Sequence, residues 1–108
     1  MRFLQFAFWG VVMRDDQAEA IAKYLGSMSH PIRLKILYQL LQGERTVGEL
    51  RDRVATTGAN LSQHLRVLRE LGVVVSDKKA NAVHNRIADK RFVELLHKMR
   101  RLFCPDEE

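Results

Sequence analysis

Hydrogen-bonding and basic side chains recur at helical spacing between positions 59 and 70, and they are the residues of this sequence best suited to chemistry. At about 100° per residue they share the side of a helix that faces away from three leucines; they are Ala59, Ser62, Gln63, Arg66, Arg69 and Glu70. A glutamine can bind adenine with two hydrogen bonds, a serine can donate or accept, and an arginine can bind guanine or a phosphate. The major groove of double-stranded DNA admits one helix, so the pattern predicts a recognition helix.

Within this helix we expect Gln63 on a base, Arg66 on a base or a phosphate, and Arg69 on a phosphate. The same pattern taken alone also fits an ordinary solvated helix face. His64 lies at the edge of the apolar side, about 60° from Leu61. We expect it to be a half-buried hydrogen-bonding residue or a phosphate contact. No metal-binding partner lies at ligand spacing from it, so we predict no metal site.

Basic residues also flank a polar turn downstream of the recognition helix. Lys78, Lys79 and Arg86 carry the charge, and Asn81 is at the tip. Such a hairpin, or wing, would lie along the DNA backbone or in the adjacent minor groove, where phosphate contacts position a protein without specifying sequence. The alternative is a solvated turn whose lysines only aid solubility.

Two threonines lie where helices are expected to begin. Thr46 is followed three residues later by Glu49, which is a capping-box pattern, and Thr57 precedes the recognition helix. Backbone N–H groups at helix starts bind phosphates readily. Both threonines are therefore candidate DNA contacts, although each could equally be a cap and nothing more.

The elements that must position these residues are short helices and one hairpin. Pro31 suits the first position of a helix, with Ser29 or His30 as its cap. Apolar periodicity and strand-like runs predict helices over 15–28, 32–41, 46–54, 59–71 and 92–103, and strands over 73–75 and 83–88 around the turn DKKANA. A short helix, a tight turn, a second helix and a hairpin predict a winged helix-turn-helix, mainly α with a small β-hairpin.

Length, charge and cysteine content limit the class of protein. The 108 residues fit one domain, placed at 15–103 between an apolar N-terminal segment, 1–14, and an acidic tail, 104–108. Eighteen Lys and Arg against 13 Asp and Glu give a net charge of +5, which favours polyanionic partners. The single cysteine excludes an intramolecular disulfide and a cysteine-rich zinc cluster. A reducing cytoplasm is the simplest compartment.

Other functional classes lack the residues that they need. The sequence shows no nucleophile–base pair, glycine-rich phosphate loop or carboxylate pair, so we expect no enzyme, no catalytic residues and no cofactor. RNA binding would need stacking aromatic side chains on the predicted polar faces. The apolar N-terminal run is shorter than the roughly 20 residues that span a bilayer, so no membrane partner is expected.

Apolar residues at helical spacing predict buried faces at both ends of the chain. In the first helix they are Ala18, Ile21, Ala22, Leu25 and Met28. A homodimer interface is expected between the last helix, through Phe92, Leu95, Met99 and Phe103, and the N-terminal segment, through Phe3, Phe6, Phe8 and Trp9. The alternatives are that both segments close the core of one chain, or that the N-terminal segment is an extension upstream of Met13.

Three stretches together resemble the ArsR-type bacterial repressors: LGSMSHPIRLKILYQLLQGERTVGEL, NLSQHLRVLRELGVVVSDKK and VHNRIAD. The resemblance covers roughly 18–101. It implies a homodimer that binds an imperfect inverted repeat in a promoter until an inducer lowers its affinity. It also implies which positions contact DNA in the recognition helix and wing: Thr57, Ala59, Asn60, Ser62, Gln63, His64 and Arg86.

The sensor sites of this family are not matched. Its cysteine-containing metal box corresponds here to TVGELRDRV, and its Asp-x-His start of the last helix corresponds to Asp89-Lys90-Arg91. A single Cys104 cannot form the cysteine pair of sulfur-sensing members within one chain. The inducer is therefore unknown, and a passive thiol is the simplest interpretation of Cys104. A protein-docking winged helix without specific DNA binding is the competing hypothesis, because the wing lacks the usual glycine and aromatic residues.

Overall fold

Helices and one small sheet alternate along the chain in the computed structural model, which describes residues 12–105. The helices are α1 (Asp15–Met28), α2 (Pro31–Leu40), α3 (Val47–Arg53), α4 (Gly58–Glu70) and α5 (Lys90–Phe103). The strands are β1 (Arg45–Thr46), β2 (Val74–Lys79) and β3 (Ala82–Ile87). The expected class, mainly α with a β-hairpin after two short helices, is confirmed.

Leucine and isoleucine side chains of α2 and α4 form the middle of the core. Helix α2 packs against α1, α3, α4 and β3, because it carries apolar residues on more than one side. The predicted apolar side of α4 is also buried. The most completely buried apolar residues are Ile36, Leu37, Leu50, Leu61, Leu65, Leu68, Val73 and Leu96.

Side-chain caps fix where α2 and α3 begin. The His30 ring accepts a hydrogen bond from the Ile32 N–H at 3.0 Å, with Pro31 at the first helical position. The Thr46 hydroxyl accepts from the Glu49 N–H at 3.1 Å, and the Glu49 carboxylate accepts from the Thr46 N–H at 2.8 Å. The capping box and the cap before Pro31 are therefore confirmed, with His30 rather than Ser29 as the cap.

The sheet has the strand order β1-β3-β2, and both pairings are antiparallel. Only Ala80 and Asn81 separate β2 from β3, with φ angles of 49° and 66°. Two consecutive left-handed residues match the twist of a tight hairpin, so the turn is shorter than the predicted DKKANA. Strand β1 was not predicted, because two residues are too few to show a period.

The outer face of α1 departs from the prediction. Of its five periodic apolar residues only Met28 is buried, whereas Ile21 is 44% exposed and Leu25 is 48% exposed. No element of the described range buries these two side chains. The expectation of a buried face is therefore wrong for the single chain. No helix among residues 12–105 is long and apolar enough to cross a membrane.

Candidate nucleic-acid interface

Helix α4 turns its polar side fully outward. The Leu61, Leu65 and Leu68 side chains are at most 1% exposed, so they fix the rotation of the helix about its own axis. All the predicted contact positions on the other side are exposed, namely Ala59, Asn60, Ser62, Gln63, Arg66 and Arg69. Arg66 meets Glu70 one turn later at 3.9 Å. Such an exposed pair contributes little to stability, so Arg66 is available to another partner.

The start of α4 presents backbone donors to solvent. The Thr57 hydroxyl accepts a hydrogen bond from the Asn60 N–H at 3.1 Å, and the Asn60 amide donates to the Thr56 hydroxyl at 3.3 Å. The role of Thr57 as a cap is thus observed, as it is for Thr46. A helix N-terminus carries partial positive charge and favours phosphate, and contact of either threonine with DNA stays a prediction.

A groove of about 460 Å³ separates α4 from the wing, which consists of β2, the turn and β3. Ser62 and Arg69 of α4 line one wall, and Lys78 of β2 lines the other. The structure thus brings together three residues that were predicted separately in the recognition helix and the wing. Leu65 forms part of the lining and joins the groove to the core. Polar and charged side chains of α4 and β2, including Asp77, therefore share one groove with the apolar residues Val47, Leu65 and Val83.

Carboxylates that were not predicted as part of the site partly neutralise the wing. Arg86 forms an ion pair with Asp77, and the Lys79 ammonium lies 3.6 Å from Glu44. Lys78 forms no ion pair among the described residues. Asp77 lies opposite His84, so Arg86 is its diagonal neighbour on the adjacent strand. Only the strand register shows this pairing, and the register was not predicted.

The turn residue Asn81 is exposed at the tip of the wing. Its φ of 66° is in the left-handed region, which asparagine tolerates better than most residues. This backbone conformation agrees with the prediction that Asn81 makes the turn.

His64 contacts His30 and Arg33, which lie at the start of α2. Its ring centroid lies 4.2 Å from that of His30, and its Nδ1 is 3.4 Å from the Arg33 guanidinium. A guanidinium can only donate, so this contact is a hydrogen bond when the His64 ring is neutral and its Nδ1 accepts. Burial, with His30 and Arg33 nearby, lowers the pKa of His64 from its ordinary value of 6.5. His64 is half-buried, as predicted.

We expect the stability of the protein to fall as the pH decreases from 7.5 to 5.5. The unfolded chain takes up a proton at His64 near its ordinary pKa of 6.5, whereas the folded chain takes it up only at a lower pH. The unfolded state then holds more protons, so the free energy of unfolding decreases with falling pH. Urea unfolding at the two pH values measures the change.

His64→Gln removes the titrating ring and is the matched comparison for this experiment. The variant should lose less stability between pH 7.5 and 5.5 than the parent chain, because the two proteins differ only in the His64 ring. An equal loss in the two proteins would show that His64 does not contribute to the pH dependence.

The residues predicted for a subunit interface lie in different environments. Phe92 is only 6% exposed, and its ring contacts Tyr24 edge-on at 5.0 Å. Leu95 and Met99 pack partly against the same core, whereas Phe103 is 81% exposed. Four further residues fall outside the described range: Phe3, Phe6, Phe8 and Trp9.

Asp89 and Cys104 are the described residues at the sensor positions that the resemblance implies. Asp89 caps α5 by accepting from the Arg91 N–H at 2.8 Å, and it also pairs with the Arg91 guanidinium. That guanidinium lowers the pKa of the Asp89 carboxyl. Cys104 is free and exposed. Within residues 12–105 no three His, Cys, Asp or Glu side chains lie close enough to hold a metal ion.

Comparison with known proteins agrees with this geometry. Residues 30–76 match the family described as "Bacterial regulatory protein, arsR family". The chain is 32% identical over 94 residues to the biofilm growth-associated repressor of Xylella fastidiosa, covering 87% of this chain and 82% of the relative. It is 39% identical over 95 residues to the transcriptional activator HlyU of Vibrio cholerae, covering 85% of this chain and 84% of that protein.

Solved structures show the same architecture. HlyU from Vibrio cholerae superimposes with a TM-score of 0.78 at 33% identity, covering 85% of this chain and 99% of HlyU. A homodimeric winged helix-turn-helix DNA-binding domain from Mycobacterium bovis gives a TM-score of 0.75 at 23% identity, covering 85% and 88% of the two chains. The latter likeness concerns the fold alone.

Fold and surface together define a winged helix-turn-helix transcription regulator. The chain belongs to the ArsR family of bacterial regulatory proteins.

Proposed function

We propose that this chain is a transcriptional repressor that binds an inverted-repeat promoter site as a homodimer in the cytoplasm and is released by an inducer. The observation that carries this proposal is the single surface formed by α4 and the wing, where Ser62, Arg69 and Lys78 line one groove. A helix in the major groove and a wing on the flanking backbone need this arrangement.

The proposed contacts divide into base-reading and phosphate-binding residues. Gln63 and Arg66 read base edges, because they are exposed on the outer side of α4 near its start and middle. The remaining proposed contacts position the protein on the backbone and on nearby base edges: Thr46, Thr57, Ala59, Asn60, Ser62, His64, Arg69, Lys78, Lys79, Asn81 and Arg86. Most of the affinity would come from this second set.

Exposed apolar side chains on α1 and α5 support the homodimer. A groove of about 440 Å³ between the two helices is lined by apolar residues that include Ile21, Leu25 and Leu95. Apolar residues at the end of α5 extend the exposed surface, with Leu102 68% and Phe103 81% exposed. A second copy would remove this area from water, and two-fold symmetry would give two α4 helices for two half-sites about 34 Å apart.

Fluorescence anisotropy on the upstream DNA of the protein's own gene tests the proposal, with a scrambled duplex as the comparison. We expect at least a thousandfold preference for the native duplex. With roughly six to ten phosphate contacts per dimer, affinity should fall by about three to five decades between 50 and 200 mM salt. A flat salt dependence and equal affinity for both duplexes would contradict the proposal.

A protein-docking winged helix is the second candidate, and one observation favours it. Two of the three wing cations already have carboxylate partners, Arg86 with Asp77 and Lys79 with Glu44. Both pairs are partly exposed, so phosphates can replace them at small cost. Because phosphates can replace the carboxylates, the ion pairs do not prevent DNA binding by the wing. Equal binding to native and scrambled DNA would favour the docking module.

A further inference from the structure

Asn85 is a fully buried polar residue at the centre of the sheet. Its side chain is 0% exposed. The side-chain oxygen accepts a hydrogen bond from the Ser76 hydroxyl at 2.5 Å, and the side-chain nitrogen donates to the backbone oxygen of Arg45 at 3.1 Å. A buried amide group that loses its hydrogen-bond partners destabilises the folded state, because it is removed from water without compensation. The position is therefore specified by hydrogen bonding and not by apolar packing.

The register explains how one side chain reaches both neighbouring strands. Asn85 of β3 lies opposite Arg45 of β1 and opposite Ser76 of β2. The strand order places β3 between the other two. One amide group thus joins all three strands on the buried side of the sheet.

Strand β1 connects the sheet directly to the helix-turn-helix. Thr46 ends β1 and caps α3, and α3 packs against α4. A bond from Asn85 to β1 therefore sets the wing against the part of the chain that carries the recognition helix. Directly before β1, Glu44 lies 3.4 Å from His84 of β3 and 3.6 Å from Lys79 of β2. These partly exposed contacts are weaker constraints than a buried hydrogen-bond pair.

We propose that Asn85 is a positioning residue, which holds the wing at the angle where Lys78 reaches the phosphate backbone of the duplex that α4 reads. The inference rests on the proposed function, because it concerns the same DNA surface. Asn85 itself is too deeply buried to contact DNA. Its effect passes through the placement of β2, and thus of Lys78 on the groove wall facing Arg69.

The salt dependence of DNA binding tests this role through a double-mutant cycle. Each phosphate contact contributes about 0.9 to the slope of log affinity against log salt. In a homodimer Lys78→Ala should therefore lower the magnitude of the slope by roughly 2. We expect Asn85→Ala to lower it by at least as much, because Lys79 and Arg86 lie on the same wing. The double variant should lower it no further than Asn85→Ala alone.

Two further variants separate positioning from simple destabilisation. Ile36→Val removes one fully buried methyl group. It should lower the stability of the protein and leave the slope unchanged. Ser76→Ala removes only one of the two hydrogen bonds of Asn85 and should give an intermediate slope. It replaces Asn85→Ala in the cycle if that variant does not fold.

The outcomes distinguish the two proposals. If the unmodified protein shows no salt-sensitive binding, the proposed function fails. If it binds, but Asn85→Ala or its replacement keeps the full slope, or if its effect adds to that of Lys78→Ala, then Asn85 does not position the wing and the repressor proposal stands.

Discussion

Replacing Gln63 and Arg66 together by alanine should abolish the preference for the native promoter duplex and leave weak, salt-sensitive binding to any DNA. Both side chains are exposed on the outer side of α4. A good two-bond contact to a base contributes about 1–3 kcal/mol of discrimination, and a dimer carries four such side chains. The combined loss of discrimination between duplexes exceeds the loss expected from removing any single contact to the DNA phosphate backbone.

Anisotropy titrations on native and scrambled duplexes measure this loss. The fold should be unaffected, because neither side chain is in the core and alanine favours helices. Lys98→Ala is the matched control, since it removes one exposed positive charge from α5 just as Arg66→Ala removes one from α4. If the double variant kept a thousandfold preference for the native duplex, residues other than Gln63 and Arg66 would be the ones that read the bases.

The second large effect is expected from Leu25→Glu, which should convert the dimer to a monomer. Leu25 is 48% exposed in the single chain and lines the apolar groove between α1 and α5. A carboxylate there is tolerated by the monomer, but in the dimer it would place a charge in an apolar interface. Sedimentation should then give the mass of one chain, 12.5 kDa.

Loss of the dimer should also weaken operator binding by about two to four decades, because the second half-site contact no longer benefits from the high effective concentration of a linked partner. Lys23→Glu places the same side chain about 200° away on α1 and should remain dimeric. A dimeric Leu25→Glu protein would place the subunit interface elsewhere.

Local signals in the sequence were enough to predict most of the helices. Thr46 and Glu49 meet within one turn, so their capping box depends on four consecutive residues and little else. The outer face of α4 follows similarly from the burial of Leu61 and Leu65. Such features depend only on residues that are close in the sequence, so helical spacing and capping patterns are enough to predict them.

Contacts between distant parts of the chain were beyond the same reasoning. The Asn85 amide meets the Arg45 carbonyl 40 positions earlier, and the His64 ring packs against that of His30. Neither contact follows from a local period, because the register of β1 with β3 and the approach of α4 to α2 are decided by the whole core. The left-handed backbone conformation of Ala80 could not be predicted either, since alanine seldom takes that conformation.

The leucine side and the outer side of α4 share no residue. Side chains that hold the helix in place are thus separate from those that face outward, and replacement of the outer ones leaves the core leucines untouched. Over evolutionary time, a gene duplicate of such a protein could acquire a new target sequence by a few substitutions without passing through an unfolded intermediate. The same separation makes α4 a practical starting point for redesigned genetic switches.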